Sequence, residues 1–498
     1  MYREITIIKS IRTYGRVKKS LPFLKVCWLS SNSKKDTIFS LSTAPGKAGI
    51  AVIRVSGPHS YRTVEELASK KFAIVPRKLV VCTFLHPKSK DPIDKGMVVY
   101  FPGPHSFTGD DVVEYHIHGG KAVINGLLTA LNNCSVERIR QAEPGEFAKR
   151  AFYNGKLDLT SLEGLSDLIN SETEAQRKQA FRQMTGDLKN LYDNWRQRVI
   201  EALAYTNAVI DFGEEEMDVA DTILPAKKIT QTLLNDIKNH LYDDKRGVRL
   251  REGVHITIMG PPNSGKSSLM NWLTQRSTSI VSNIPGTTRD VIESFVDIGG
   301  YPVVFTDTAG LRSTVDLIEQ EGIRRALEQA RLSDLRIIVL DANNLISLNN
   351  VSKFKELFQR EALPLKNTDF ILLNKTDLIP KETSSLEKTF TGISKAYPHQ
   401  KVLKISCKDK TNLQQFLNQL IDEIKTKCES SSLVPTQTRH RLHLEKCEFF
   451  LQKALEEKDL VLFSEELNCA RQQLEYITGR ISLEDVLDRI FSGFCIGK

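Results

Sequence analysis

The chain has 498 residues, with 69 Lys and Arg against 61 Asp and Glu for a formal charge of +8, and its length predicts about three domains. Nine of the basic residues and a single acid, Glu4, fall in residues 1–35, so the remainder is neutral and bulk charge does not argue for nucleic-acid binding. No apolar run approaches the ~20 residues that span a bilayer, and eight scattered cysteines without C-x-x-C spacing exclude a disulfide framework and a cysteine zinc site.

The first segment, 1–35, combines Arg3, Lys9, Arg12, Arg16, Lys18, Lys19 and Lys25 with Ile, Leu, Phe and Ser. This is the composition of a mitochondrial transit peptide, without the apolar core of a secretory signal. From 36 to 156 short strand-like runs, Ile50–Val55 and Met97–Phe101, alternate with Gly/Pro turns such as Pro102-Gly103-Pro104, which predicts an α+β domain. His116 and His118 share one strand face there, but no third metal ligand stands out, so they are read as structural.

At Leu157 the texture becomes helical. Leu162, Leu165, Leu168 and Ile169, then Phe181, Met184, Leu188, Leu191, Trp195 and Val199, follow helical spacing. Helices resume after the acidic run Glu214-Glu215-Glu216, through Leu233, Ile237 and Leu241. This predicts a helical segment over 157–250.

Residues 251–427 carry the chemistry. Gly260-Pro261-Pro262-Asn263-Ser264-Gly265-Lys266-Ser267 fits the phosphate loop G-x-x-x-x-G-K-[ST], lying between the strand-like Val254–Met259 and a helical stretch from Ser268. Such a loop wraps phosphate oxygens and aims helix N–H groups at them, Lys266 reaching the β/γ-phosphates and the Ser267 hydroxyl holding Mg²⁺. Asn374-Lys375-Thr376-Asp377 follows the apolar run Phe370–Leu373, and Asp377 there is placed to accept from guanine N1–H and its 2-amino group. That hydrogen bonding is worth about 1.5–3 kcal/mol, a discrimination against adenine of roughly ten- to a hundredfold. Ser406-Cys407-Lys408 ends a further strand where backbone meets the guanine oxygen, and Asp307-Thr308-Ala309-Gly310 reads as the Mg²⁺ and γ-phosphate sensor. In Ile284-Pro285-Gly286-Thr287-Thr288, Thr288 is a candidate second Mg²⁺ ligand, and the Asn263 amide oxygen suits a monovalent cation. Together these predict a GTPase domain. Leu311 occupies the position of the water-orienting Gln of Ras-like enzymes, so another group must orient water; Asp316, Glu319 and Glu321 are at hand.

After Ser430-Ser431-Ser432 and Pro435, residues 428–498 return to helical spacing through Leu442, Leu451, Leu467, Leu474 and Ile490. Helical segments on both sides of a complete GTPase domain predict one helical domain with the GTPase inserted, since domain termini often lie close together. The terminal Cys495-Ile496-Gly497-Lys498 is a poor prenylation box.

The chain from residue 36 resembles the MnmE/TrmE family of tRNA-modification GTPases. Markers outside the GTPase domain carry the likeness: Phe101–Gly109, Pro144-Gly145-Glu146-Phe147, Asn154–Leu159 and Phe494–Lys498. The resemblance implies an α/β multidomain protein: an N-terminal α+β folate-binding-like dimerisation domain, an α-helical domain and an inserted Ras-like P-loop GTPase domain with a parallel sheet. It implies modification of carbon 5 of the tRNA wobble uridine in the mitochondrial matrix, with a FAD-dependent MnmG-type partner and a homodimer. The one-carbon unit is implied to come from 5-formyl- or methylene-tetrahydrofolate, held by Arg54, Glu114, Lys156 and Lys498. The nucleotide site is implied to span Asn263 to Ser268, Ser282, Ile284 to Thr288, Asp307 to Gly310, Asn374, Lys375, Asp377 and Ser406 to Lys408. Within it K⁺ is implied to bind Asn263, Ser282, Ile284 and Thr287, bridging two GTPase domains, and Glu319 to orient the attacking water. The competing readings are a mitochondrial ribosome-assembly GTPase and a folate-sensing, GTP-controlled scaffold.

Overall fold

The computed structural model describes residues 36–69, 74–212, 219–242, 245–276, 293–307, 330–347, 366–379, 384–429, 435–480 and Gly497; the leader 1–35 lies outside these. The chain forms two compact units, Met1–Lys156 with Cys495–Lys498, and Leu157–Phe494. Of the last residues, the described Gly497 falls in the first unit.

The first unit is built on a six-stranded sheet of order β3-β4-β5-β2-β1-β6. Its strands are β1 (Thr37–Leu41), β2 (Ala48–Ser56), β3 (Val80–Leu85), β4 (Pro92–Phe101), β5 (Val112–Gly119) and β6 (Ile139–Gln141). All neighbours pair antiparallel except β1 with β6. Alternation along β2 and β5 sends Ala51, Ile53, Val55, Val113, Tyr115 and Ile117 into one core with Val64, Leu67, Leu127 and Leu131, from the helices Ser60–Leu67 and Lys121–Asn132. Full burial of each Leu contributes about 1.5–3 kcal/mol. The same alternation leaves Arg54, Glu114 and His116 on the opposite face. There Phe147, on the helix Glu146–Tyr153, packs with Ile38, Ala142 and Phe107.

The second unit contains a sheet of order β12-β11-β10-β7-β9-β8. Its strands are β7 (Val254–Met259), β8 (Glu293–Ile298), β9 (Tyr301–Asp307), β10 (Leu335–Asp341), β11 (Phe370–Asn374) and β12 (Lys401–Lys404). Every pairing is parallel except β8 with β9. Each residue of β10 is buried, as expected for a strand covered on both faces. One face packs Leu269 and Leu273 of the helix Lys266–Arg276 and Phe416 and Leu420 of Leu413–Cys428. The other packs Ile393 of Ser384–Ala396. In this topology the phosphate-loop strand and the two strands preceding the base-binding segments all end at the same edge.

The remaining helices of this unit share one core. Tyr192, Trp195, Val199, Leu233 and Ile237 come from Asp187–Phe212 and Val219–Leu241; Leu444, Leu451, Leu467 and Leu474 come from Thr438–Glu456 and Leu460–Thr478. Residues before and after the sheet thus build a single hydrophobic cluster.

Candidate functional site

The phosphate loop joins β7 to the helix Lys266–Arg276 through three residues of positive φ: Gly260 at 145°, Asn263 at 59° and Gly265 at 102°. A Cβ on Gly260 would lie 2.0 Å from the Val339 carbonyl oxygen, and one on Gly265 would lie 2.0 Å from Asn374 Nδ2. Backbone must pass where side chains cannot, which is the geometry a phosphate cradle needs. Lys266 Nζ donates to the carbonyls of Gly260 and Pro261 at 2.8 and 2.9 Å, lying back across the loop. Asn263, Ser267 and Ser268 are exposed and Ser264 is buried. The Ser264 Oγ has no hydrogen-bond partner among the described residues.

The base-recognition segments meet the loop through Asn374, which is 2% exposed. Its Nδ2 donates to Ser264 O at 2.8 Å, and its Oδ1 accepts from the Cys407 backbone N–H at 3.1 Å. One amide therefore links the phosphate loop to the segment after β12. Ser406 Oγ donates to Asp377 Oδ1 at 2.7 Å and accepts from Asp409 N–H at 3.1 Å, orienting the carboxylate. Thr376 Oγ1 donates to Ile405 O at 3.0 Å. Burial pushes the Cys407 thiol up to about 11, so it stays protonated near neutral pH. Lys408 is exposed.

Asp307 ends β9 opposite Ile258, beside the strand that enters the phosphate loop. Ser282, Ile284, Pro285, Gly286, Thr287, Thr288, Thr308, Ala309, Gly310 and Glu319 lie outside the described residues.

In the first unit Arg54 and Glu114 face each other in the register of β2 and β5. Arg54 Nε and Nη2 donate to Glu114 Oε1 at 3.0 and 2.8 Å. The guanidinium stands 5.1 Å from the Phe107 ring centroid and 5.9 Å from that of Phe147, so rings and carboxylate hold its plane. His116 Nε2 is buried without a hydrogen-bond partner among the described residues, 3.7 Å from Glu114 Oε2. His118, by contrast, bonds Asp94 through Nδ1 and its backbone N–H, both at 2.8 Å. No group of three metal-ligating side chains gathers among the described residues. Lys156 is exposed, and Lys498 lies outside the described residues. Its neighbour Gly497 accepts from Ser42 Oγ at 3.0 Å. With φ at 138° and a Cβ position 2.1 Å from Leu41 O, Gly497 docks closely against the end of β1, the strand that pairs Ser40 with Arg54.

Comparison with known proteins decides the family. Residues 159–495 match the MnmE helical domain, and residues 37–156 match the GTP-binding protein TrmE N-terminus. The chain belongs to the MnmE/TrmE family. It is 46% identical over 475 residues to the mitochondrial 5-taurinomethyluridine-[tRNA] synthase subunit GTPB3 of Danio rerio, covering 93% of each chain. Identity to the human protein of that name is 42% over 469 residues, again 93% of each. The tRNA modification GTPase MnmE of Orientia tsutsugamushi is 45% identical over 466 residues, 93% of this chain and 99% of that one.

Within this MnmE/TrmE chain, motif reading names Asn374 without its reach to Ser264, gives no role to Thr376 or to the docking of Gly497, and takes His116 as a structural histidine. Thr376 occupies the unspecified position of N-K-x-D, and the buried ring nitrogen of His116 becomes visible only beside Glu114.

Proposed function

We propose that this chain is the GTP-hydrolysing subunit of a mitochondrial matrix complex that modifies carbon 5 of the tRNA wobble uridine. The product is a carboxymethylaminomethyl- or taurinomethyl-type uridine, and the other subunit is a FAD-dependent MnmG-type protein. One observation carries the reading: a guanine-nucleotide site and a TrmE-type N-terminal unit with a paired Arg54–Glu114 face occur in the same chain. The relatives named as tRNA modification GTPases and taurinomethyluridine synthase subunits support it. The GTPase domain is inserted in the helical domain, a reading supported by the shared core on both sides of the sheet.

GTP hydrolysis follows from the roles of this chain's residues. The 260–265 backbone and Lys266 bind the β/γ-phosphates, Asp377 accepts from guanine N1–H and the 2-amino group, and the Cys407 segment meets the guanine oxygen. Ser267 and Thr288 would hold Mg²⁺, while Asn263 with Ser282, Ile284 and Thr287 would hold K⁺ in a homodimer of the chain. When bound, these cations neutralise developing phosphate charge, the service an arginine finger performs at a gain of ~10³–10⁵ elsewhere. Glu319 orients water, replacing the Gln that Leu311 cannot supply.

Tetrahydrofolate, as its 5-formyl or methylene form, is held by Arg54, Glu114, Lys156 and Lys498. Basic side chains suit its glutamyl carboxylates and a carboxylate suits the pterin edge. The His116 nitrogen beside Glu114, without a hydrogen-bond partner among the described residues, supports a polar ligand on this face.

The test is mass spectrometry of mitochondrial tRNA nucleosides from cells with and without the protein. Loss of the wobble carbon-5 side chain alone is expected. An unchanged profile would overturn the reading in favour of a ribosome-assembly GTPase.

A further inference from the structure

Each side chain of Asn374, Thr376 and Asp377 is held by a partner in the phosphate loop or the segment after β12. Lys375 differs: its Nζ lies 2.8 Å from Oδ2 of Asp341, the last residue of β10. Asp341 pairs in register with Asn374 and is 9% exposed. Its other oxygen, Oδ1, accepts from the backbone N–H groups of Asn343 at 3.0 Å and Asn344 at 3.4 Å, starting the helix Ala342–Ser347. Lys375 itself has φ 63°, a left-handed conformation uncommon for long side chains. Backbone conformation thus aims the lysine stem, and the buried carboxylate fixes its charged head.

We propose that Asp341 is a positioning residue for guanine-nucleotide binding, holding Lys375 preordered between Asn374 and Asp377. This rests on the GTPase reading above. An exposed lysine pair would contribute little. Here the carboxylate is buried, and without it a four-bond side chain must be ordered each time nucleotide binds. Ordering one such side chain weakens binding roughly two- to tenfold.

The decisive variant in the full-length protein is Asp341→Asn. Asparagine caps a helix as well as aspartate does, so it keeps the bonds to Asn343 and Asn344 while removing the charge that faces Lys375. Fluorescent GDP binding, GTP turnover and thermal midpoint are measured on wild type, Asp341→Asn, Asp341→Ala and Lys375→Met. The expected result is a GDP Kd and a GTP KM raised roughly two- to tenfold in Asp341→Asn, with kcat and thermal midpoint near wild type. Lys375→Met should weaken GDP binding at least as much, and adding Asp341→Asn to it should weaken it no further. An unchanged Kd in Asp341→Asn, or independent effects in the double variant, would overturn the proposal. A thermal loss in Asp341→Asn equal to that of Asp341→Ala would also overturn it, leaving only a helix cap. Wild-type protein that binds no GDP would instead count against the GTPase reading itself.

Discussion

Glu163 and Arg439, 276 positions apart, form a two-pronged ion pair: Nε donates to Oε1 at 3.0 Å and Nη2 to Oε2 at 3.1 Å. His440 Nε2 lies 2.7 Å from the same Oε2. Arg439 also donates to the carbonyls of Tyr476 and Ile477 at 2.8 and 3.1 Å. The cluster therefore ties the helix Leu159–Ile169 to the helices Thr438–Glu456 and Leu460–Thr478. Burial alone would raise the Glu163 carboxyl, but His440 and Arg439 outweigh it and hold it at about 2.

Glu163→Ala leaves Arg439 without its carboxylate and should cost about 3–5 kcal/mol, read as a lowered urea midpoint. The pair also has a pH signature. An unfolded Glu titrates near ~4.3, above the folded value, so the carboxylate's stabilisation is complete above ~4.3 and disappears as pH falls toward 2. The thermal-midpoint difference between wild type and Glu163→Gln should shrink over that window. A constant difference would contradict the assignment.

Asn374→Ala removes the partner of Ser264 O and of the Cys407 N–H together. Leaving such buried groups unpaired costs about 1–3 kcal/mol, so GDP and GTP should both bind roughly five- to a hundredfold more weakly. Titration with a fluorescent guanine nucleotide measures this, and wild-type affinity in the variant would show that the bridge is dispensable.

Gly497→Ala places a methyl group against the Leu41 carbonyl, 2.1 Å from the Cβ position, and must displace the tail. If Lys498 holds folate, calorimetry should show tetrahydrofolate binding weakened while GTP turnover persists. Retained folate affinity would remove the terminus from that site.

Asn263→Ala should abolish the difference between K⁺ and Na⁺ in stimulating hydrolysis. Glu319→Ala should preserve nucleotide binding while hydrolysis falls at least about tenfold, well inside the range that transition-state groups of such enzymes command. Steady-state turnover in each salt, paired with binding titrations, checks both.

The nucleotide motifs were legible because each is a short run of neighbours at a strand end. Gly260 to Ser267 follow apolar alternation, and Asn374 to Asp377 follow a buried run. The Arg54–Glu114 pair was only partly legible. Alternation assigns each residue to a face of its strand, but not which strand lies beside which. Nothing in the local pattern around residue 114 says that β5 adjoins β2.

By itself, then, the sequence determined the nucleotide class, the helical periodicities and the family likeness, since these depend on residues a few positions apart. Tertiary structure alone decided that Asn374 reaches Ser264, 110 positions away, through a sheet whose neighbours are not consecutive in the chain. It likewise decided that Glu163 meets Arg439 and that Gly497 docks on β1. Such contacts depend on strand order and on backbone approaching closely enough to exclude a Cβ, and both arise when distant segments pack together.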